Sequence, residues 1–180
     1  MKKLLLHLLL IFPIIGFAQD HSNLINSHNE DFKKIKISLA FAQTYIPSFY
    51  LNEESESAQL IPTNGIDVQY NFNHKFFVKW TNELEFLSYN LKNKEGEERV
   101  RENAFLSTVT LGYEFYDKFA VIAGVGYEFE KSKDLRIIRL GMEYSFSIGV
   151  NWELSPELLY DIKEGSHTAI TWGLAIGYRI

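Results

Sequence analysis

The chain contains no cysteine. That excludes disulfides, thiolate metal sites and a cysteine-linked lipid anchor. Beyond its first eighteen residues it also lacks any apolar run near the roughly 20 residues of a membrane-spanning helix. Any insertion of the remaining chain into a bilayer must therefore use strands, and these have to close into a barrel to satisfy their backbone groups. Positive charge is in short supply as well. Against 23 Asp and Glu stand 18 Lys and Arg, a formal charge of −5. An acidic balance argues against nucleic acid as a partner.

What is present begins with a secretory pattern. Lys2 and Lys3 precede an apolar stretch from Leu4 to Ile15, and Gly16-Phe17-Ala18 supplies small residues at a cleavage point. Residues 1–18 are read as a signal peptide, 19–32 as a short polar leader and 33–180 as one domain. Removing the signal takes away two lysines and no acid, so the charge falls from −5 to −7. His21 and His28, in the leader, read as solvated.

Eight segments of 33–180 alternate apolar with polar or small residues, the signature of half-exposed strands. They are Lys34 to Tyr45, Ile66 to Phe72, Phe76 to Tyr89, Leu106 to Phe115, Phe119 to Phe129, Leu135 to Phe146, Val150 to Tyr160 and Thr168 to Ile180. The seventh is the weakest. Pro156 interrupts it, and proline lacks a ladder donor, so a bulge or an early end is expected there. The connections tend to alternate in length. Residues 46–64 and 91–103 form long loops, whereas Asn73-His74, Asp117-Lys118 and Ser147 to Gly149 are tight turns. Long-short alternation fits an up-and-down barrel with short periplasmic turns and longer outer loops.

Alternation alone permits two arrangements, with the apolar face inward around a dry core or outward against lipid. The polar face carries Lys36, Asp67, Lys79, Glu83, Glu85, Glu114, Glu128, Arg139, Glu143, Glu153 and Arg179. A dry interior rejects so many charges, and a polar lumen with paired charges accepts them. The opposite face is crowded with aromatics that gather near strand ends, more than a small barrel interior holds. The reading is an all-β, eight-stranded antiparallel up-and-down transmembrane barrel. A Gly-x-charge pattern recurs as Gly112-Tyr113-Glu114, Gly126-Tyr127-Glu128, Gly141-Met142-Glu143 and Gly177-Tyr178-Arg179. Strand direction places Glu114 and Glu143 low in the lumen with Lys36 and Arg179, as one expected network, and Glu128 higher, near the level of Glu85.

These features resemble the small eight-stranded outer-membrane barrels of the OmpA/OmpX type, over about Lys33 to Ile180. The terminal strand Ala169 to Ile180 shares their apolar alternation, with Tyr178 two residues before the final Ile180 where such barrels end in an aromatic. The resemblance implies an outer-membrane location, contact with outer-membrane lipid, and recognition by the barrel-assembly machinery during insertion.

Three functions remain in view. One is a non-enzymatic, porin-like barrel whose eight strands leave a lumen filled by polar side chains rather than a general diffusion pore, with a structural role, or a binding role carried by loops 46–64 and 91–103 toward an extracellular partner. No catalytic, cofactor or metal residue is assigned in that reading. A second is an enzyme acting on outer-membrane lipid, since similar barrels use histidine and serine and Glu164, Ser166 and His167 lie together. A nucleophile needs a base within hydrogen-bond reach and an orienting group, a geometry adjacent loop residues rarely supply. The third is a soluble periplasmic carrier, with the same strands turned inside out.

Overall fold

The computed structural model describes residues 32–47, 58–86, 88–92, 98–116, 118–129 and 134–180. The strands are β1 (Ile35–Ile46), β2 (Gln59–Asn71), β3 (Phe76–Glu85), β4 (Ser88–Lys92), β5 (Glu98–Glu102), β6 (Phe105–Tyr116), β7 (Phe119–Phe129), β8 (Leu135–Tyr144), β9 (Phe146–Ser147), β10 (Trp152–Lys163) and β11 (Thr168–Arg179). The short β9 continues β8 along β10, so the two form one stave. Eight staves follow in the order β11-β1-β2-β3-β6-β7-β8-β10, and the β10–β11 ladder closes the ring. Every ladder is antiparallel. The β4–β5 hairpin forms a separate two-stranded sheet between β3 and β6 in sequence.

Register defines the size of the barrel. A ladder that starts at Lys36 passes Gln69, Lys79, Thr110, Gly124, Arg139 and Asp161 and reaches β11 at Ala169. Lys36 itself faces Arg179, ten positions further along β11. Eight strands with a stagger of ten give a tilt of about 40° and a backbone radius of about 8 Å, an interior that side chains can fill.

The barrel is polar within and apolar without. Lys36, Lys79, Glu83, Arg139 and Glu143 are buried, whereas Leu111 is 65 % and Val125 63 % exposed in mid-strand. Ile37, Leu39, Val109, Leu140, Leu158 and Leu174 are exposed in the same way. An apolar belt of this extent on every stave is incompatible with water and meets lipid. Aromatic rings border it. Near the tight turns lie the contacting pairs Phe76–Tyr113, Phe115–Phe119, Tyr144–Phe146 and Trp152–Tyr178, and near the other end Phe105–Phe129 and Tyr127–Phe129. The fold is a transmembrane barrel, and the inside-out soluble arrangement is not adopted.

The tight turns are built from local polar groups. Asn73 Oδ1 accepts the backbone N–H groups of Lys75 and Phe76, at 2.8 and 2.9 Å, and so holds the β2–β3 turn. Lys118 takes a positive φ of 65°, and its N–H donates to Glu114 Oε1 at 3.0 Å across the β6–β7 turn. At the opposite end Gly165, with φ of 68°, turns β10 into β11.

Three expectations are corrected. The long loop 46–64 is shorter, because β2 already begins at Gln59. Much of 91–103 is strand rather than loop, as the last two residues of β4 and all of β5. Pro156 neither ends nor bulges its strand: β10 keeps one register with β11 from Trp152 to Ile162. Pairing along the other edge lapses at Tyr144 and Ser145, between β8 and β9, opposite Pro156 and Ser155. The missing proline donor thus falls where that ladder is already open, and Ser145 Oγ and Ser155 Oγ bridge the gap at 2.8 Å. The register shift appears instead in β6, between Glu114 and Tyr116. Residues 1–31, loop residues 48–57 and 93–97, and with them the signal peptide, most of the leader, His21 and His28, lie outside the described residues.

Candidate functional site: the lumen and its rim

Alternation sends every second side chain inward, and the stagger decides which of them share a level. Near the tight-turn end a chain of opposite charges crosses the lumen. Arg179 Nε donates to Glu153 Oε1 at 2.6 Å, and Glu153 Oε2 lies 3.5 Å from Lys36 Nζ. Lys36 is also 3.8 Å from Glu143. Glu143 accepts from Lys79, which in turn lies 3.8 Å from Glu157. Lys36 and Lys79 each bridge two acids, one on β8 and one on β10, and among the described residues Arg179 pairs with Glu153 alone.

A second layer stands above. Arg139 Nε and Nη2 donate to the two Asp161 oxygens at 2.7 Å each, Nη2 also donates to Glu83 Oε2 at 2.6 Å, and Nη1 to Thr108 Oγ1 at 3.2 Å. The planar fork of arginine suits this bidentate contact. Higher still, Lys163 Nζ is 2.6 Å from Glu128 and 3.1 Å from Glu85. Thr44 Oγ1 meets both Thr63 and Thr171 hydroxyls at 2.8 Å. Inward apolar residues then cap the long-loop end: Ile46, Ile61, Leu106, Leu135 and Ile137 are buried there. Below, Phe77, Ala120, Ile122 and Leu159 form an apolar cluster inside the wall. The Phe77 ring lies over Gly112, its direct partner across β3–β6, where any Cβ would overlap the ring.

No protein-family model and no curated protein matches the chain. Solved structures do. Ail, the attachment invasion locus protein of Yersinia pestis, aligns at 17 % identity over 82 % of this chain and 99 % of its own, with a TM-score of 0.53. Ail in complex with the heparin analogue sucrose octasulfate gives 15 % identity, the same coverages and 0.54. OprG, an outer membrane protein of Pseudomonas aeruginosa, gives 13 % identity, 82 % and 96 % coverage, and 0.47. The fold is that of the OmpA/OmpX-type outer-membrane barrels.

In this barrel the eleven charges read on the polar face divide into separate groups, and Asp67 is buried on β2. Lys36, Lys79, Glu143, Glu153 and Arg179 form the lower chain. Glu83 joins Arg139, and Glu85 and Glu128 share Lys163. Glu114 is a correction. It was expected beside Glu143, Lys36 and Arg179, but it is half-buried at the β6–β7 turn, where its carboxylate holds the Lys118 N–H. Sequence reasoning missed Glu157, Asp161 and Lys163, because the seventh segment was expected to falter at Pro156. Its alternation in fact runs on, with Glu157, Leu159, Asp161 and Lys163 inward against Leu158, Tyr160 and Ile162 outward. That continued period was the available signal.

At the rim, Ser166 Oγ lies 2.8 Å from His167 Nδ1, beside a cavity of about 570 Å³ lined in part by Tyr127, Arg136 and Ile138. Glu164 does not complete the group. Its carboxylate pairs with Arg136 at 3.6 Å, with both side chains largely exposed. Among the described residues no cluster of His, Asp and Glu is arranged to hold a metal ion.

Proposed function

We propose that the chain is a non-enzymatic outer-membrane barrel whose role is structural or is carried by its outer loops. The observation behind this reading is the filled lumen. Its charged side chains are almost wholly shielded, Glu128 at 0 %, Arg139 at 1 % and Lys163 at 2 % exposure. A water-filled channel leaves such groups open to solvent. With the interior committed to ion pairs, recognition falls to residues 46–64 and 91–103, at the end away from the tight turns, and an extracellular partner is expected there. The lipid of the outer membrane covers the belt, and the barrel-assembly machinery inserts the chain. Residues 1–18 direct export and are cleaved. The Ail likeness concerns the fold, and the acidic Glu53, Glu54 and Glu56 of the first loop favour a cationic partner over a sulfated one.

The test is fractionation of cells producing the full chain, with gel samples boiled and unboiled. A heat-modifiable band in the outer-membrane fraction, with a mature N-terminus at Gln19, supports the reading. A band in the soluble periplasm overturns it. A second reading, an enzyme that modifies outer-membrane lipid, has the Ser166–His167 contact in its favour. Mass spectrometry of membrane lipid decides it, through a product present with the wild type and absent with Ser166→Ala and His167→Ala.

A further inference from the structure

The apolar belt has one polar gap. Gln43 on β1, Asn64 on β2, Asn82 on β3 and Ser107 on β6 all point outward, on four consecutive staves. Each residue climbs roughly 2.5 Å along the barrel axis and each step between staves about 3 Å, which puts the four within about 4 Å of one depth. The gap is not the edge of the membrane. Tyr45, Leu60, Leu84, Phe86 and Phe105 continue the apolar face above it. At similar depth the far wall presents Leu140, Leu158 and Trp172.

The patch is partly organised. Trp80 Nε1 donates to Ser107 Oγ, which donates to Asn82 Oδ1, each at 3.0 Å. The Asn82 amide N–H groups remain unused among the described residues, and so do the exposed amides of Gln43 and Asn64. An acyl chain offers them nothing, and hydrocarbon leaves unmatched amides uncompensated. The aromatic border formed by Tyr45, Phe86 and Phe105, the level at which such rings meet lipid headgroups, stands two to four residues above. The barrel is closed, so no strand edge can recruit a partner. Contact has to come through side chains.

We propose that two copies of the chain pair through this patch. Copies inserted in the same direction are related by a two-fold axis along the membrane normal, and such an axis returns every residue at its own depth. Four polar residues at one depth meet that requirement. With the axis between β2 and β3, Asn64 of one copy faces Asn82 of the other, and Gln43 faces Ser107. Amides both donate and accept, so the surface complements itself.

The absence of native cysteine makes the test direct. Full-length Asn64→Cys and Asn82→Cys chains, whose thiols the two-fold brings face to face, are inserted together in outer membranes and oxidised at low protein density, beside a Leu140→Cys control on the far wall. A disulfide between an Asn64→Cys chain and an Asn82→Cys chain as the main cross-linked species, with at most a trace of dimer for Leu140→Cys, is expected. A yield no higher than that of the Leu140→Cys control, or no link between the Asn64→Cys and Asn82→Cys chains, overturns the proposal. Sedimentation of the unsubstituted protein in density-matched detergent needs no variant. It should show a dimer that Asn64→Leu/Asn82→Leu converts to monomer, and a monomeric wild type overturns the pairing.

Discussion

Arg139 and Asp161 face each other across the β8–β10 ladder and meet in two parallel hydrogen bonds of 2.7 Å. The guanidinium also holds Glu83, from the opposite side of the lumen. Both acids depend on this cation. Arg139→Met strands two buried carboxylates, a loss on the order of 3–5 kcal/mol. Urea unfolding of the refolded barrel in lipid vesicles should show it. Adding Glu83→Gln and Asp161→Asn removes the stranded charge, and the triple variant should recover most of the midpoint.

Position in the lumen should grade the other pairs. Lys163 is fully enclosed between Glu85 and Glu128, whereas the Arg179 side chain is 28 % exposed beside Glu153. Lys163→Met is expected to cost several kcal/mol, and Arg179→Met about 1 kcal/mol or less, since water replaces the lost partner. The gel temperature at which the folded band disappears should drop clearly for the first and barely for the second.

Gly112 and Phe77 are matched in shape. Gly112→Val forces the Phe77 ring off its site, at a cost of about 1–3 kcal/mol. Phe77→Ala in the same chain frees that space, and the double variant should be more stable than the sum of the two single changes implies. A double-mutant cycle on the unfolding midpoints measures the coupling.

The filled lumen also sets an expectation for transport. Liposomes carrying the purified wild type should not swell in small neutral sugars, and planar bilayers should show no stepwise currents. Sustained swelling by the wild type would show that the network opens.

Pro156 offers a test of the strand itself. Its missing donor faces the break between β8 and β9, so Pro156→Thr restores an N–H where ladder pairing has lapsed. The unfolding midpoint should move by no more than about 0.5 kcal/mol. A large loss would mean that proline shapes the β8–β9 break.

Much of the architecture was legible in residues such as Val109, Leu111, Val121 and Val125, whose two-residue period survives any neighbour. The direction of that apolar face was legible too, because rings such as Trp80, Phe115 and Phe129 on it are more than a small barrel interior holds. The site was less so. Glu114 carries the same Gly-Tyr-Glu-Phe motif as Glu128, yet one caps a turn and the other is buried beside Lys163. The motif recurs in sequence, and nothing in it encodes depth.

By itself, then, the sequence determined the eight alternating segments, the lipid-facing belt and the tight turns, since side-chain alternation and turn chemistry act over a few residues. Only the tertiary structure decided the partners. Lys79 with Glu143, Lys163 with Glu85 and Gln43 level with Ser107 come from strands far apart in the chain. Their meeting depends on a stagger of ten around the closed ring. A different stagger would keep every face and change every pair.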